Sequence, residues 1–287
     1  MANTFVPHTI TLKGKPVEIN SPWLMGILNV TPDSFYGCSR CNEEAVIVKR
    51  IHQIIDEGGK IIDIGGYSSR PGADEVSLEE EYRRLSIGLS IVKREAPDAV
   101  VSVDTFRADI ARRCVEEWGV DIINDISGGN LDKNMAKTIA SLNVPYILMH
   151  MRGTPETMSS FTEYRNVTAD VINELSIKVQ HLKQLGVKDI IIDPGFGFSK
   201  TIEQNYELMN NLDAFHCMNL PILIGISRKS MIYKVLNTSP ENALNGTTTL
   251  NTIALMKGAH ILRVHDVKEA VETIKLTQLT RQQLKQA

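Results

Sequence analysis

The chain has 287 residues, 43% of them hydrophobic and 23% charged, with a net charge of -3. These values suit one large α/β barrel or two small soluble domains, and they leave no basic footprint for nucleic acid. No apolar run reaches the length of a membrane span, and Met1 to His8 lacks the basic region and apolar core of a signal peptide, so the expected compartment is the cytoplasm, with reduced thiols.

Taken in order, residues 9–12 and 17–19, joined across Lys13-Gly14-Lys15-Pro16, predict a short hairpin able to plug one end of a barrel. An apolar run then recurs eight times, at 24–29, 61–66, 100–104, 122–125, 146–150, 190–193, 222–227 and 261–266. Amphipathic segments lie between the runs, at 43–57, 78–94, 108–118, 167–184, 202–212, 243–256 and 269–284. Strict β-then-α alternation with right-handed crossovers gives either a doubly wound sheet or a closed barrel. Eight repeats at this length select a (β/α)8 TIM barrel, a single domain over 1–287 with an N-terminal β-hairpin capping one end. No Gly-x-Gly-x-x-Gly opens the first helix, which speaks against a dinucleotide fold.

The carboxyl ends of barrel strands converge on one mouth. Ile190-Ile191-Ile192-Asp193-Pro194-Gly195-Phe196-Gly197-Phe198 shows what collects there: a buried strand ends at a carboxylate, and Pro194-Gly195 stops it. Such an Asp is either satisfied by neighbouring backbone amides or waiting for donors on a ligand. Asn29, Asp63, Asp104, Asn124, Asp125, Met149, His150, Asp193, Ser227, Lys229, Arg263 and His265 are expected at the same mouth. About half should be satisfied structurally. The remainder suit a planar heterocycle edged with donors and acceptors, with Arg263, Met149 and Phe198 able to pack on its faces.

Arg70, Arg228, Lys229, Arg263 and His265 form a cationic set, and Asn245-Gly246-Thr247-Thr248 reads as a helix start near the last strands. Together they favour an anionic ligand of phosphate type over solvated loop charge. The stretches 29–37 and 67–73 are long for loops that follow a strand, so they read either as lids or as plain turn chemistry. Cys38-Ser39-Arg40-Cys41 has redox or zinc spacing but no companion pair, and Cys114 and Cys217 read as packing or surface residues.

Five blocks in one order carry a resemblance. They are Gly26-Ile27-Leu28-Asn29-Val30-Thr31-Pro32-Asp33-Ser34-Phe35, Ser102-Val103-Asp104-Thr105, the stretch Asp193 to Phe198, Ser227-Arg228-Lys229-Ser230 and Arg263-Val264-His265-Asp266-Val267. Together they resemble the signatures of the dihydropteroate synthase family. The resemblance implies a folate-pathway transferase that joins p-aminobenzoate to 6-hydroxymethyl-7,8-dihydropterin pyrophosphate, releasing pyrophosphate. It implies that Asp104, Asn124 and Asp193 hold the pterin edge, with Met149, Phe198, Lys229 and Arg263 against the ring. It places Asn29 on a magnesium ion at the pyrophosphate, with Arg70, Arg263 and His265 around the anion. Phe35, Ser69, Pro71, Ser227 and Lys229 would border the p-aminobenzoate site. Asp104, Asp193, Lys229 and Arg263 would act in the chemistry, a dissociative substitution that needs no protein nucleophile. Homodimers through the later helices, and sulfonamide binding at the lids, are implied in the same way.

Two lid positions depart from the family. Tyr36-Gly37-Cys38-Ser39 stands where Ser-Asp-Gly-Gly is usual, and Tyr67-Ser68-Ser69 stands for Glu-Ser-Thr. Each change removes an acid, and Tyr67 puts there an aromatic able to pack outward. Four rival readings are a pterin-binding barrel of a corrinoid-dependent methyltransferase, a Schiff-base aldolase built on Lys229, a hydrolytic metal barrel and a non-catalytic binding barrel.

Overall fold

The computed structural model describes residues 5–31, 40–67 and 76–284. A hairpin of β1 (His8–Leu12) and β2 (Lys15–Ile19) comes first, followed by β3 (Trp23–Asn29), α1 (Arg40–Asp56), β4 (Ile61–Gly65) and α2 (Leu78–Glu95). The alternation continues through β5 (Val100–Asp104), α3 (Ala108–Trp118), β6 (Ile122–Asp125), α4 (Met135–Leu142), β7 (Tyr146–Met149) and α5 (Val167–Gln184). It ends with β8 (Ile190–Asp193), α6 (Ile202–Asn210), β9 (Leu223–Ile224), α7 (Ser230–Tyr233), α8 (Leu244–Met256), β10 (Ile261–Val264) and α9 (Val267–Leu284).

Strands β3 to β10 form one parallel eight-stranded sheet in the order β8-β7-β6-β5-β4-β3-β10-β9. A single parallel bridge, Ile192 to Ile222, and the bond from Ile192 N to Pro221 O (2.9 Å) join its two edges into a barrel. The expected TIM barrel is therefore present. Period-two alternation divides each strand into an inward and an outward set. Trp23, Met25, Ile61, Ile122, Ile147, Ile191, Leu223 and Ile261 fill the barrel floor, and Ile10, Leu12 and Ile19 of the hairpin join the same cluster. The hairpin thus plugs the amino end, as expected, and leaves the carboxyl end for a ligand.

The expected strand at 222–227 shrinks to Leu223–Ile224. Arg228 adopts a left-handed backbone (φ 58°), Lys229 N turns back onto Ile226 O (3.1 Å), and Arg228 N donates to Thr247 Oγ1 (3.1 Å). Those bonds draw the chain off the ladder after two paired residues. The expected helix at 202–212 ends at Asn210 and continues as a 3-10 turn over Leu212–Met218. Cys114 is buried and Cys217 exposed, and both are free.

Candidate functional site

Among the inward-facing residues, the upper layer is polar. Asp63 and Asp104 stand on neighbouring strands β4 and β5, Asn124 on β6, and Arg263 reaches them from β10 across the barrel. Arg263 donates from Nε to Asp63 Oδ2 (2.7 Å) and from Nη2 to Asp104 Oδ2 (2.7 Å), while Asn124 Nδ2 donates to the same Asp63 oxygen (3.2 Å). Burial opposes charge on the guanidinium, yet Asp63 and Asp104 hold its pKa above the ordinary arginine value. Burial pushes the Asp104 carboxyl up to about 7, and Asp63 adds to the rise while Arg263 opposes it. This is a tight alternation of charges in a nearly dry space, stable only as a closed set.

Asp193 ends β8 on the other side of the mouth. Its Oδ1 accepts from Gly195 N (2.7 Å), so one oxygen is satisfied by the turn itself. The backbone-amide reading thus holds for Oδ1. Burial raises its pKa and Lys229 opposes the rise. Lys229 donates to Phe196 O (2.6 Å), and its ammonium lies 4.5 Å from the centre of the Phe198 ring. Burial lowers its pKa to about 8, against the pull of Asp193. Beside them Phe198 and Met149 share an apolar cluster with Ile126, Met151 and Met158. A flat ring placed here meets carboxylates and an amide along its edge, and sulfur, phenyl and guanidinium at its faces.

At the rim, Asn29 is exposed at the end of β3. Ser227 Oγ accepts from His265 N (3.2 Å) and lies 3.0 Å from His265 Nδ1. Burial, then Arg263, lowers the His265 pKa to about 4, so the ring is neutral near neutral pH. Arg50 supports this corner by donating to His265 O (2.6 Å) and Ile27 O (3.1 Å). Arg228 pairs with Asp266 (2.6 Å) and so belongs to the loop rather than to the mouth. The hydroxyl of Thr247 is likewise engaged by Arg228 N (3.1 Å). Phe35, Cys38, Ser69, Arg70 and Pro71, and the side chain of Cys41, lie outside the described residues. Among the described residues no group of three or more His, Cys, Asp or Glu side chains could hold a metal.

Two expected mouth residues face outward instead. Asp125 accepts from Tyr146 Oη (2.6 Å) and from Ser127 N (2.7 Å) and Gly129 N (2.8 Å), behind the sheet. His150 bonds to Glu174 of α5 and to Lys200. The Tyr67 ring meets Phe106 edge-on at 5.2 Å. Sequence reasoning gave no role to Asp63 beyond a place at the mouth, and none to Lys200; the signal for Asp63 was a carboxylate set between isoleucines in a buried run.

A parallel barrel whose mouth sets carboxylates, an amide and a guanidinium around an apolar slot has the features of a pterin-binding enzyme, and the pterin binding enzyme family matches residues 25–265. The chain is 45% identical to a dihydropteroate synthase of Clostridium beijerinckii over 260 residues, covering 90% of this chain and 93% of that one. It is similar in structure to the Yersinia pestis dihydropteroate synthase in a sulfonamide drug complex, with a TM-score of 0.87 and 35% identity over 96% of this chain and 99% of that one. It is also similar to the Thermus thermophilus enzyme in complex with 4-aminobenzoate, with a TM-score of 0.83 and 32% identity over 95% and 99% of the two chains. The chain belongs to the dihydropteroate synthase family.

Proposed function

We propose that this chain condenses 6-hydroxymethyl-7,8-dihydropterin pyrophosphate with p-aminobenzoate, giving 7,8-dihydropteroate and pyrophosphate. The observation that carries the reading is Arg263 held between Asp63 and Asp104 (both 2.7 Å), beside Asn124, Asp193 and the Met149–Phe198 wall. Asp104, Asn124 and Asp193 take the donor and acceptor edge of the pterin, and Lys229 and Arg263 flank the ring. Breaking the carbon–oxygen bond leaves positive charge in the dihydropterin, which the buried carboxylates stabilise, and negative charge on pyrophosphate, which Arg263, His265 and Arg70 receive. The neutral aniline nitrogen then attacks the cationic carbon at a site bordered by Phe35, Ser69, Pro71, Ser227 and Lys229, where a sulfonamide competes for the same space.

Magnesium fits this site as a shared ion rather than a caged one. Asn29 offers a carbonyl oxygen at the rim, and Mg²⁺ commonly completes its shell with phosphate oxygens and water. When bound there it supplies positive charge to the leaving pyrophosphate. Homodimers fit the exposed apolar residues of α8 and α9, and a cytoplasmic location fits the free Cys114 and Cys217.

The test is pyrophosphate release by purified protein given the dihydropterin pyrophosphate, with and without p-aminobenzoate, magnesium and a sulfonamide. Release that needs both p-aminobenzoate and magnesium, and that a sulfonamide inhibits competitively with p-aminobenzoate, is expected. A corrinoid-dependent methyltransferase shares the pterin residues and would bind pterin without releasing pyrophosphate.

A further inference from the structure

The turn from β8 into α6 carries Asp193 and Phe198, and it is pinned from behind by a buried ammonium. Lys200 is 9% exposed, and its Nζ lies 3.0 Å from Gly195 O, 3.0 Å from Phe198 O and 3.1 Å from His150 Nδ1. An ammonium has three protons to donate and no lone pair, so these three acceptors use it completely. The third acceptor exists only for one tautomer of His150. His150 Nε2 lies 3.0 Å from Glu174 Oε2, a carboxylate oxygen that only accepts, so Nε2 carries the proton and Nδ1 presents its lone pair. Burial keeps the ring neutral by lowering its pKa to about 4, and Arg152 fixes Glu174 from the other side through Nε (3.0 Å).

The grip reaches the ligand slot through Gly195. This residue has φ +72°, and a Cβ on it would lie 2.0 Å from His150 O, so the turn is pressed against the end of β7. Its carbonyl is held by Lys200 (3.0 Å) while its N–H holds Asp193 Oδ1 (2.7 Å). At the far end of the turn Lys200 holds the carbonyl of Phe198, whose side chain shares an apolar cluster with Met149. A neutral tether would be simpler to bury. Burial lowers the Lys200 pKa to about 7 and Asp193 opposes that shift; the charged form, which the three acceptors favour, lies behind Asp193 and favours the ionised form of that carboxylate.

We infer that Lys200 is a positioning residue of the pterin subsite: through three fixed acceptors, with the His150–Glu174 pair setting one of them, it aims Asp193 and Phe198 at the ring. The inference rests on the reading of this mouth as a pterin site. It assigns to the buried lysine and to Glu174 of α5 an effect on one substrate and not on the other.

The experiment compares steady-state kinetics of wild type, Lys200→Met and Glu174→Gln, with circular dichroism and thermal midpoints as controls for folding. Lys200→Met keeps the stem and removes all three protons; Glu174→Gln keeps the shape and removes the carboxylate that fixes the His150 tautomer. The KM for the dihydropterin pyrophosphate is expected to rise about tenfold or more in Lys200→Met and about threefold in Glu174→Gln, given the sensitivity of bound geometry to small misplacements. The KM for p-aminobenzoate at saturating pterin substrate is expected to stay within about twofold in both. A pterin KM within about twofold of wild type in the folded variants, or equal rises for both substrates, overturns the inference. Should Lys200→Met fail to fold, Glu174→Gln decides alone by the same criteria. A wild type with no turnover would refute the proposed function itself, and the inference with it.

Discussion

Asp63 shows how much a single carboxylate can organise. It is fully buried, its Oδ2 receives Arg263 Nε (2.7 Å) and Asn124 Nδ2 (3.2 Å), and so it orients two of the groups expected to meet the pterin. Removing one member of a buried ion set leaves the others uncompensated, at a cost of about 3–5 kcal/mol. Asp63→Asn keeps the shape but leaves Arg263 with Asp104 alone. Turnover is expected to fall about 100-fold, corresponding to about 3 kcal/mol in the transition state, with lower stability in urea. Activity within tenfold of wild type, judged by kcat/KM, would show that Asp104 suffices to aim the guanidinium. The place of Asp63 within a buried strand is legible from Ile61-Ile62-Asp63-Ile64 alone. Its partner is not, because the bond to Arg263 spans 200 residues and depends on where the barrel closes. Lys200 and Glu174 were illegible for the same reason: neither residue type nor spacing reveals an acceptor set that three separate segments assemble.

The elements themselves were largely written in the periodicity. Buried apolar runs marked all eight barrel strands; β10 stops two residues short of its run, and β9 is cut back most, by bonds from Arg228 and Lys229 that no apolar pattern encodes. α4 has no strong signal because Met135–Leu142 is a brief helix with two fully buried side chains, Met135 and Ile139. The hairpin was legible as a plug, but the way it is tied down was not. His260, just before β10, is fully buried; its Nδ1 accepts from Ile222 N (3.0 Å) and its Nε2 donates to Val6 O (2.9 Å). Burial lowers its pKa to about 4, although the Val6 carbonyl opposes the shift and His8 and His216 reinforce it. The sign follows from proton counting: between the unfolded value near 6.5 and the folded value near 4, the unfolded chain binds more protons. Stability from the neutral ring is therefore complete above about pH 7 and lost as the pH falls toward 4. Between pH 7 and pH 5 this ring alone should remove about 2 kcal/mol. Urea unfolding at the two pH values checks it, with His260→Gln expected to be less stable at pH 7 and to lose about 2 kcal/mol less on acidification. An unchanged pH dependence in that variant would exclude the ring as a contributor.

On the scale of the whole molecule, the barrel divides labour between its ends: the hairpin and the apolar floor close one, and charged side chains organise the other. The sides are less uniform. Leu276 (67% exposed) and Leu279 (58%) stand on α9, which packs against α8, and α8 itself exposes Ile253 (38%). Leu236 (53%) follows α7 and reaches the first turn of α8, where a Cβ on Gly246 would lie 3.1 Å from its Cδ1. Scattered exposed leucines need no explanation, but large aliphatic residues concentrated on α8, α9 and the segment before them make a surface that a second copy would bury. A two-fold arrangement makes that surface self-complementary, because the same patch serves both sides. Light scattering is expected to give twice the 32.0 kDa chain mass. The double variant Leu276→Glu with Leu279→Glu places like charges opposite one another across such an axis and should yield a monomer with the barrel intact. Since the mouth draws its ligand groups from β4, β5, β6, β8 and β10 of one chain, that monomer should still bind pterin. A double variant that remains dimeric would move the interface away from α9, and a wild type of single-chain mass would leave these leucines without a partner.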